Sequence, residues 1–307
     1  MPSMSTITEI NLGLPVAVID TPEKIAQRIE DVQSELDALR AELNVLRRRD
    51  ETLNFYMHRL DEELRLAARI QQDFLPKTLP QIGNVHFHTL FRPAGYVSGD
   101  LYDVIRLDER HIAFYLADAV GHGMPAALLT MFLRHALVTK EIGPLGYRLL
   151  PPSETMRRLN DSFLSQQLTH ASFATALCGV VDVETHRVTI ARAGHPLPLV
   201  LRDNGSLDRI DCDGGLLGVF PDETFAEATT TLEPGDRLIL FTDGVEMGFG
   251  GTTASTDEKW RGELLSHQKL NGSDLLSELS RTLDNSAGSL DPKDDLTVIV
   301  VENRKAA

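Results

Sequence analysis

Ala117-Asp118-Ala119-Val120-Gly121-His122-Gly123-Met124-Pro125-Ala126-Ala127-Leu128 places one carboxylate at the end of an apolar run, Ile112 to Leu116, and follows it with a glycine-bracketed turn into a helix-forming segment. Gly121 and Gly123 leave backbone space for the turn. Working outward, three more aspartates stand in comparable frames. They are Asp100 in Val97-Ser98-Gly99-Asp100-Leu101-Tyr102-Asp103, Asp243 in Phe241-Thr242-Asp243-Gly244-Val245, and Asp294 in Lys293-Asp294-Asp295-Leu296-Thr297. Leu238 to Phe241 and Leu296 to Val301 flank two of them. Charged groups seldom adjoin apolar runs unless something compensates their burial, and a divalent cation does so. Carboxylate oxygens without neighbouring thiols are hard ligands that suit Mg²⁺ or Mn²⁺ better than Zn²⁺ or copper. A single aspartate at a strand end reads equally as a turn former or helix cap; four in sequence point to a site.

From about Ala67 to Val301 the chain resembles a metal-dependent serine/threonine phosphatase of the protein phosphatase 2C superfamily, in the bacterial branch typified by RsbU and the stage II sporulation phosphatase. Besides the four aspartate segments, the resemblance rests on Phe173-Ala174-Thr175-Ala176-Leu177, Ala193-Gly194-His195-Pro196 and Leu232-Glu233-Pro234-Gly235-Asp236. It implies an α+β fold: a protein phosphatase 2C-like αββα sandwich of two antiparallel sheets with flanking helices. It also implies two Mn²⁺ or Mg²⁺ ions that activate a water in line with phosphorus, with no covalent intermediate on the protein. Carried over by motif, Asp118 bridges the ions and the Ala119 carbonyl joins one of them. Asp243 and Asp294 hold the second, and Asp100 acts on the first directly or through water. In the doublet, Asp294 takes the ligand's place and Asp295 that of a hydrogen-bonding neighbour. Glu246, directly after Val245, departs from the family's usual spacing.

The 307 residues allow one domain of over two hundred residues plus an appendage, and an apolar content of 42% supplies a large core. A formal net charge of −15 argues against nucleic acid and anionic membrane as general partners. Cys178 and Cys212 make no disulfide framework, so a reducing, cytoplasmic setting is expected. Ile10 to Ile19, broken by Gly13 and Pro15, is too short to span a bilayer, and no signal peptide is read.

Ile29, Val32, Leu36, Leu39, Leu43, Leu46, Leu53, Met57, Leu60, Leu64 and Ala67 recur on alternating three- and four-residue steps, with Asp50 the polar occupant of that register. This 3.5-residue period predicts a coiled-coil seam about 58 Å long at 1.5 Å per residue. Glu35 with Arg40 and Glu42 with Arg47 would pair across a parallel homodimer. A long helix folded back on its own domain is the alternative, but a stripe this narrow suits a partner helix better. The expected domains are residues 1–21, of unassigned structure, a coiled-coil dimerisation and linker helix over 22–75, and a phosphatase domain over 76–307.

Pro76 and Pro80 should end the linker helix. Strands are expected at 85–91, 101–106, 111–116, 172–183, 187–192, 198–201, 229–232, 237–241 and 296–301, and helices at 125–139, 153–168, 258–265 and 273–283. The Gly/Thr/Ser-rich stretch 247–257 reads as a loop. His122 beside Asp118 could orient a phosphate or water or serve the turn alone, and His195 reads as shaping one. The resulting expectation is a phosphoserine/phosphothreonine protein phosphatase with a signalling and stress-response role. By resemblance its substrate is an anti-sigma factor antagonist-like phosphoprotein, and an upstream regulatory protein acts through the coiled coil. A catalytically silent scaffold and a hydrolase of a small phosphoester are the alternatives; no Gly-x-x-x-x-Gly-Lys-Ser/Thr loop supports nucleotide binding.

Overall fold

The computed structural model describes residues 21–144, 146–167, 173–249, 254–285 and 292–305. It divides into two compact units, residues 1–62 and 63–307. Residues 1–21, apart from Thr21, lie outside the described residues.

In the first unit the described residues form one continuous helix, α1 (Pro22–Phe74), which runs on into the second. Within the first unit the seam positions Ile29, Val32, Leu36, Leu39, Leu43, Leu46, Leu53, Met57 and Leu60 are each 43–61% exposed. Arg40 pairs within its own helix, to Asp37 three residues earlier at 3.5 Å. The Asp50 carboxylate likewise accepts from Asn54 Nδ2 on the next turn at 3.3 Å.

The second unit runs β1 (Val85–Arg92), β2 (Asp100–Arg106), β3 (His111–Ala119), α2 (Met124–Ala136), β4 (Lys140–Gly143), β5 (Gly146–Leu149), α3 (Pro152–Ser165), β6 (Ala174–Asp182) and β7 (Arg187–Ala193). It continues with β8 (Leu199–Leu201), β9 (Leu207–Arg209), β10 (Glu227–Thr231), β11 (Arg237–Phe241), α4 (Asp243–Gly248), α5 (Ala254–Ser266), α6 (Gly272–Asp284) and β12 (Leu296–Asn303). Two five-stranded sheets result, in orders β1-β12-β11-β8-β9 and β10-β7-β6-β3-β2, every strand pair antiparallel.

Alternation along the strands sets the layers, because successive side chains point to opposite faces. In β11 and β12, Leu238, Leu240, Ile299 and Val301 join the main core with Phe87, Phe114, Leu116 and Leu177. Ile239, Phe241, Val298 and Val300 face the other way, against Trp260 and Leu264 of α5 and Leu275, Leu279 and Leu283 of α6. Leu133 of α2 and Met156, Leu159 and Phe163 of α3 pack on the second sheet. The αββα sandwich expected from the resemblance is therefore the fold observed.

Three differences from the sequence reading stand out. The stretch 247–257 is not one loop: Met247 and Gly248 end α4, and α5 begins at Ala254, with 250–253 outside the described residues. Tertiary packing selects helix there, Phe249 tilting against Trp260 at 5.5 Å between ring centroids. Second, the β4–β5 hairpin was not anticipated. Its mixed polarity carries no period, and polar contacts to other elements hold it, Lys140 Nζ donating to the Leu107 carbonyl at 2.5 Å and Arg148 to Glu154 of α3 at 2.9 Å. Third, α2 stops at Ala136 rather than 139, because Lys140 enters that hairpin.

Candidate metal centre

β2 starts at Asp100 and β3 ends at Asp118–Ala119, and antiparallel pairing sets Asp100 directly opposite Asp118. On its other side Asp118 faces Thr175 of β6. In the partner sheet β11 ends two residues before Asp243, and β12 begins two residues after Asp294. Strand ends from both sheets therefore deliver carboxylates to one edge of the sandwich. Gly121 and Gly123 adopt φ of +89° and +72°, the left-handed region that the turn into α2 requires.

Gly244 decides how α4 seats there. A Cβ built on it would lie 1.9 Å from the Asp295 carbonyl oxygen and 2.8 Å from the carbonyl carbon, so only a glycine lets the first turn of α4 press on the 294–295 backbone.

Asp100 is 2% exposed. Its Oδ2 accepts hydrogen bonds from the Thr242 hydroxyl at 2.9 Å and the Thr297 hydroxyl at 2.6 Å. The Thr242 oxygen in turn accepts from the Thr297 amide at 3.0 Å, tying β11 to β12. Burial raises the Asp100 pKa well above the usual carboxylate range; Asp118 adds to the rise and the threonine hydroxyls oppose it. Burial, then the charges of Asp243, Asp294 and Asp295, pushes Asp118 up to about 8. Asp294 is raised as well, first by burial, with the Asp295 amide on its Oδ1 at 2.9 Å and His122 working the other way. His122 thus lies within electrostatic reach of Asp294, and its residue is exposed.

Asp295 has a different environment. Its two oxygens accept backbone amides, Oδ1 from Ala94 at 2.7 Å and Oδ2 from Gly99 at 2.6 Å, so both point at the loop ahead of Asp100. His195 is buried, its Nδ1 2.8 Å from the Thr175 hydroxyl, and burial holds its pKa down to about 3. The Phe241 carbonyl lies near the ring, but Nε2 makes no hydrogen bond of normal geometry. Cys178 is buried, and burial pushes its thiol up to about 12, the behaviour of a small hydrophobe.

The sequence reading named the aspartates and missed their supports. Thr242 and Thr297 lay inside motifs already noted, yet only folding turns both hydroxyls onto Asp100. Gln71 carried no such signal: the last turns of α1 bury it, its Nε2 donating to the Ser98 carbonyl at 2.6 Å and approaching the Thr130 hydroxyl of α2 at 3.3 Å. Ser98 Oγ accepts the Asp100 amide at 3.0 Å, which puts Gln71 two contacts from the carboxylate cluster.

The oxygen-only donors, with the pKa values of Asp118 and Asp294 raised first by burial and then by neighbouring carboxylates, fit a hard divalent cation in kind and in charge. Among the described residues no three His, Cys, Asp or Glu side chains are grouped tightly enough to ligate one ion as they stand.

A model of the family described as Stage II sporulation protein E (SpoIIE) matches residues 108–304. The chain belongs to that family. It is 29% identical over 198 residues to phosphoserine phosphatase RsbU of Bacillus subtilis, covering 64% of this chain and 56% of that protein. It is also 29% identical over 204 residues to protein IcfG of a Synechocystis species, covering 60% of this chain and 32% of the relative. The chain thus spans between about a third and just over half of these curated relatives. Among solved structures, the SiaA-PP2C domain of Pseudomonas aeruginosa superposes with a TM-score of 0.68 at 23% identity, over 80% of this chain and 98% of that one. RsbX in complex with magnesium superposes with a TM-score of 0.51 at 18% identity, over 73% and 98%. The first of these carries the protein phosphatase 2C fold. No helix among the described residues is long and apolar enough to cross a membrane.

Proposed function

We propose that the 63–307 unit is a metal-dependent phosphatase acting on phosphoserine or phosphothreonine in a protein. The observation that carries this is the strand pairing that sets Asp100 opposite Asp118 at the edge where Asp243 and Asp294 also lie, with the Asp118 pKa raised first by burial and then by the charges of Asp243, Asp294 and Asp295. Family membership, and the phosphoserine phosphatase named among the relatives, supports the same reading. Asp118 would hold both ions with help from the Ala119 carbonyl, Asp243 and Asp294 would hold the second, and Asp100 would act on the first. Bound Mn²⁺ or Mg²⁺ would supply neutralisation of the phosphoryl oxygens and a more acidic water. Thr242 and Thr297 fix the Asp100 carboxylate, and Asp295 fixes the 94–99 loop, so the chain contributes orientation and no covalent nucleophile.

The substrate class that fits is a small phosphorylated anti-sigma factor antagonist-like domain, and the setting is the cytoplasm. The exposed seam of α1 would join two copies in a parallel dimer, and an upstream regulator acting on that coiled coil would tune the site. Gln71 supports this coupling, since it belongs to α1 and bonds the backbone next to Asp100's loop.

Hydrolysis of an aryl phosphate by purified protein with Mn²⁺, with Mg²⁺ and with chelator tests the assignment. Asp118→Asn should fold yet lose about a thousandfold in turnover, roughly 4 kcal/mol of transition-state stabilisation. A folded wild type inert with either metal would leave a silent scaffold. Cleavage of free phosphoesters with none of phosphoprotein would leave a small-molecule hydrolase.

A further inference from the structure

Arg237 begins β11 and Glu302 lies near the end of β12, and the two residues pair across the sheet. They stand at the edge of the sandwich remote from the aspartates, about 13 Å back along β11 at ~3.3 Å per residue. A cavity of about 720 Å³ opens there, lined by Arg237, Lys269, Arg304, Lys305, Asp203 and Glu302 among others. Its size falls in the range of small-molecule sites.

Four cations face two carboxylates, and two of the four, Lys305 and Arg304, are paired with those carboxylates. Asp203 pairs with Lys305 Nζ at 2.7 Å, and Glu302 takes Arg304 Nε at 3.0 Å and His88 Nε2 at 3.3 Å. Those bonds hold Glu302 down at about 2, although burial alone would raise it. Arg237 is 3% exposed and meets no carboxylate at hydrogen-bond distance: its two terminal nitrogens donate to the carbonyls of Leu270 and Gln268, and its Nε has no hydrogen-bond partner. Lys269 is exposed and makes no hydrogen bond or ion pair among the described residues. Asn271, the N-cap of α6, also lines the cavity, with the first amides of that helix already given to Glu302, from Gly272, and to the Asn271 oxygen, from Asp274. Glu302, Asp203 and Asp236 act on the buried Arg237 guanidinium electrostatically, but none bonds to it, which leaves part of its burial cost for an anion to offset.

We propose that this cavity binds a small, multiply charged oxyanion. Arg237, held by the two carbonyls, lines the cavity, Lys269 supplies charge that no carboxylate takes, and Arg304 and Lys305 would turn from Glu302 and Asp203 toward the ligand. The cavity has no aromatic lining to stack a base, so charge and not a ring is what it recognises. A polyphosphate and a tricarboxylate share that chemistry.

Calorimetric titration of the chelator-treated full chain with pyrophosphate, and separately with citrate, at constant ionic strength tests this. Stripped of cations, the aspartate edge repels both ligands, so uptake reports the remote cavity. At least one should bind with a Kd of about 1 mM or tighter, and which one does so identifies the source as phosphate or carboxylate. Lys269→Glu with Lys305→Glu should weaken it about tenfold or more, through lost and reversed charge. The control Lys77→Glu with Arg187→Glu changes net charge equally and should leave binding within about twofold. Neither ligand binding at about 10 mM, or equal weakening by the control pair, overturns the proposal.

Discussion

Gln71 and Ser98 bond to one another in both directions: the Gln71 Nε2 donates to the Ser98 carbonyl at 2.6 Å, and the Ser98 amide donates to Gln71 Oε1 at 2.8 Å. The pair is buried, and a third contact reaches Thr130 of α2. A side-chain amide satisfying both backbone groups of one residue acts as a local strand partner, so the end of α1 sets the backbone that leads into Asp100. Gln71→Ala removes both bonds and leaves an amide and a carbonyl buried, a loss of about 2–4 kcal/mol. Thermal unfolding should report it, and the Mn²⁺ concentration that half-activates aryl phosphate hydrolysis should shift with it. A variant that melts and titrates like the wild type would show that the clasp does not form in solution.

Gly244→Ala should be more damaging than its size suggests. The added methyl has to displace the Asp295 carbonyl, and with it α4 or the start of β12. Overpacking costs typically about 1–3 kcal/mol, and backbone on one side places this case at the upper end. Urea unfolding should show the loss, and calorimetry should show weakened Mn²⁺ binding, because Asp243 and Asp294 lie on the two segments forced apart.

His195 sets a pH dependence of stability. Its folded pKa is held down to about 3 against 6.5 unfolded. The unfolded chain therefore takes up a proton that the folded one refuses, and the sign is fixed: the contribution is fully present above about 6.5 and is lost as pH falls through that value. The slope cannot exceed about 1.4 kcal/mol per pH unit for one group. His195→Gln keeps a partner for Thr175 but does not titrate. Comparison of melting temperatures from about pH 7.5 to pH 5 should show the wild type losing stability faster than the variant; parallel curves would exclude the effect.

Leu39→Glu with Leu43→Glu should separate the proposed dimer into monomers. These side chains, at 59 and 48% exposure in the single chain, lose their burial against a partner helix, worth about 1.5–3 kcal/mol each when complete. Light scattering at micromolar concentration should report two copies for the wild type and one for the variant. A monomeric wild type would leave the seam without that role.

The outline of the site was legible because its chemistry is punctuated in the chain. Asp118, Asp243 and Asp294 each adjoin an apolar run, and the short β-rich apolar runs Leu238 to Phe241 and Leu296 to Val301 announce strands. The four segments belong to two sheets, yet their order and frames were enough to read them together. What escaped notice was held by contacts distant in sequence: the β4–β5 hairpin, the α4 turn at Gly244 and the remote cavity around Arg237 have no local period.

Local patterning alone therefore determined where most of the helices and strands run, and that four carboxylates stand at or beside strand ends, since period and residue type act over a few neighbours. Only the tertiary structure decided that Thr242 and Thr297 both turn to Asp100, that Asp295 is committed to the amides of Ala94 and Gly99, and that Gln71 clasps Ser98. Each of those bonds joins residues 27 to 201 positions apart, and burial makes leaving such groups unpaired too costly for any other arrangement.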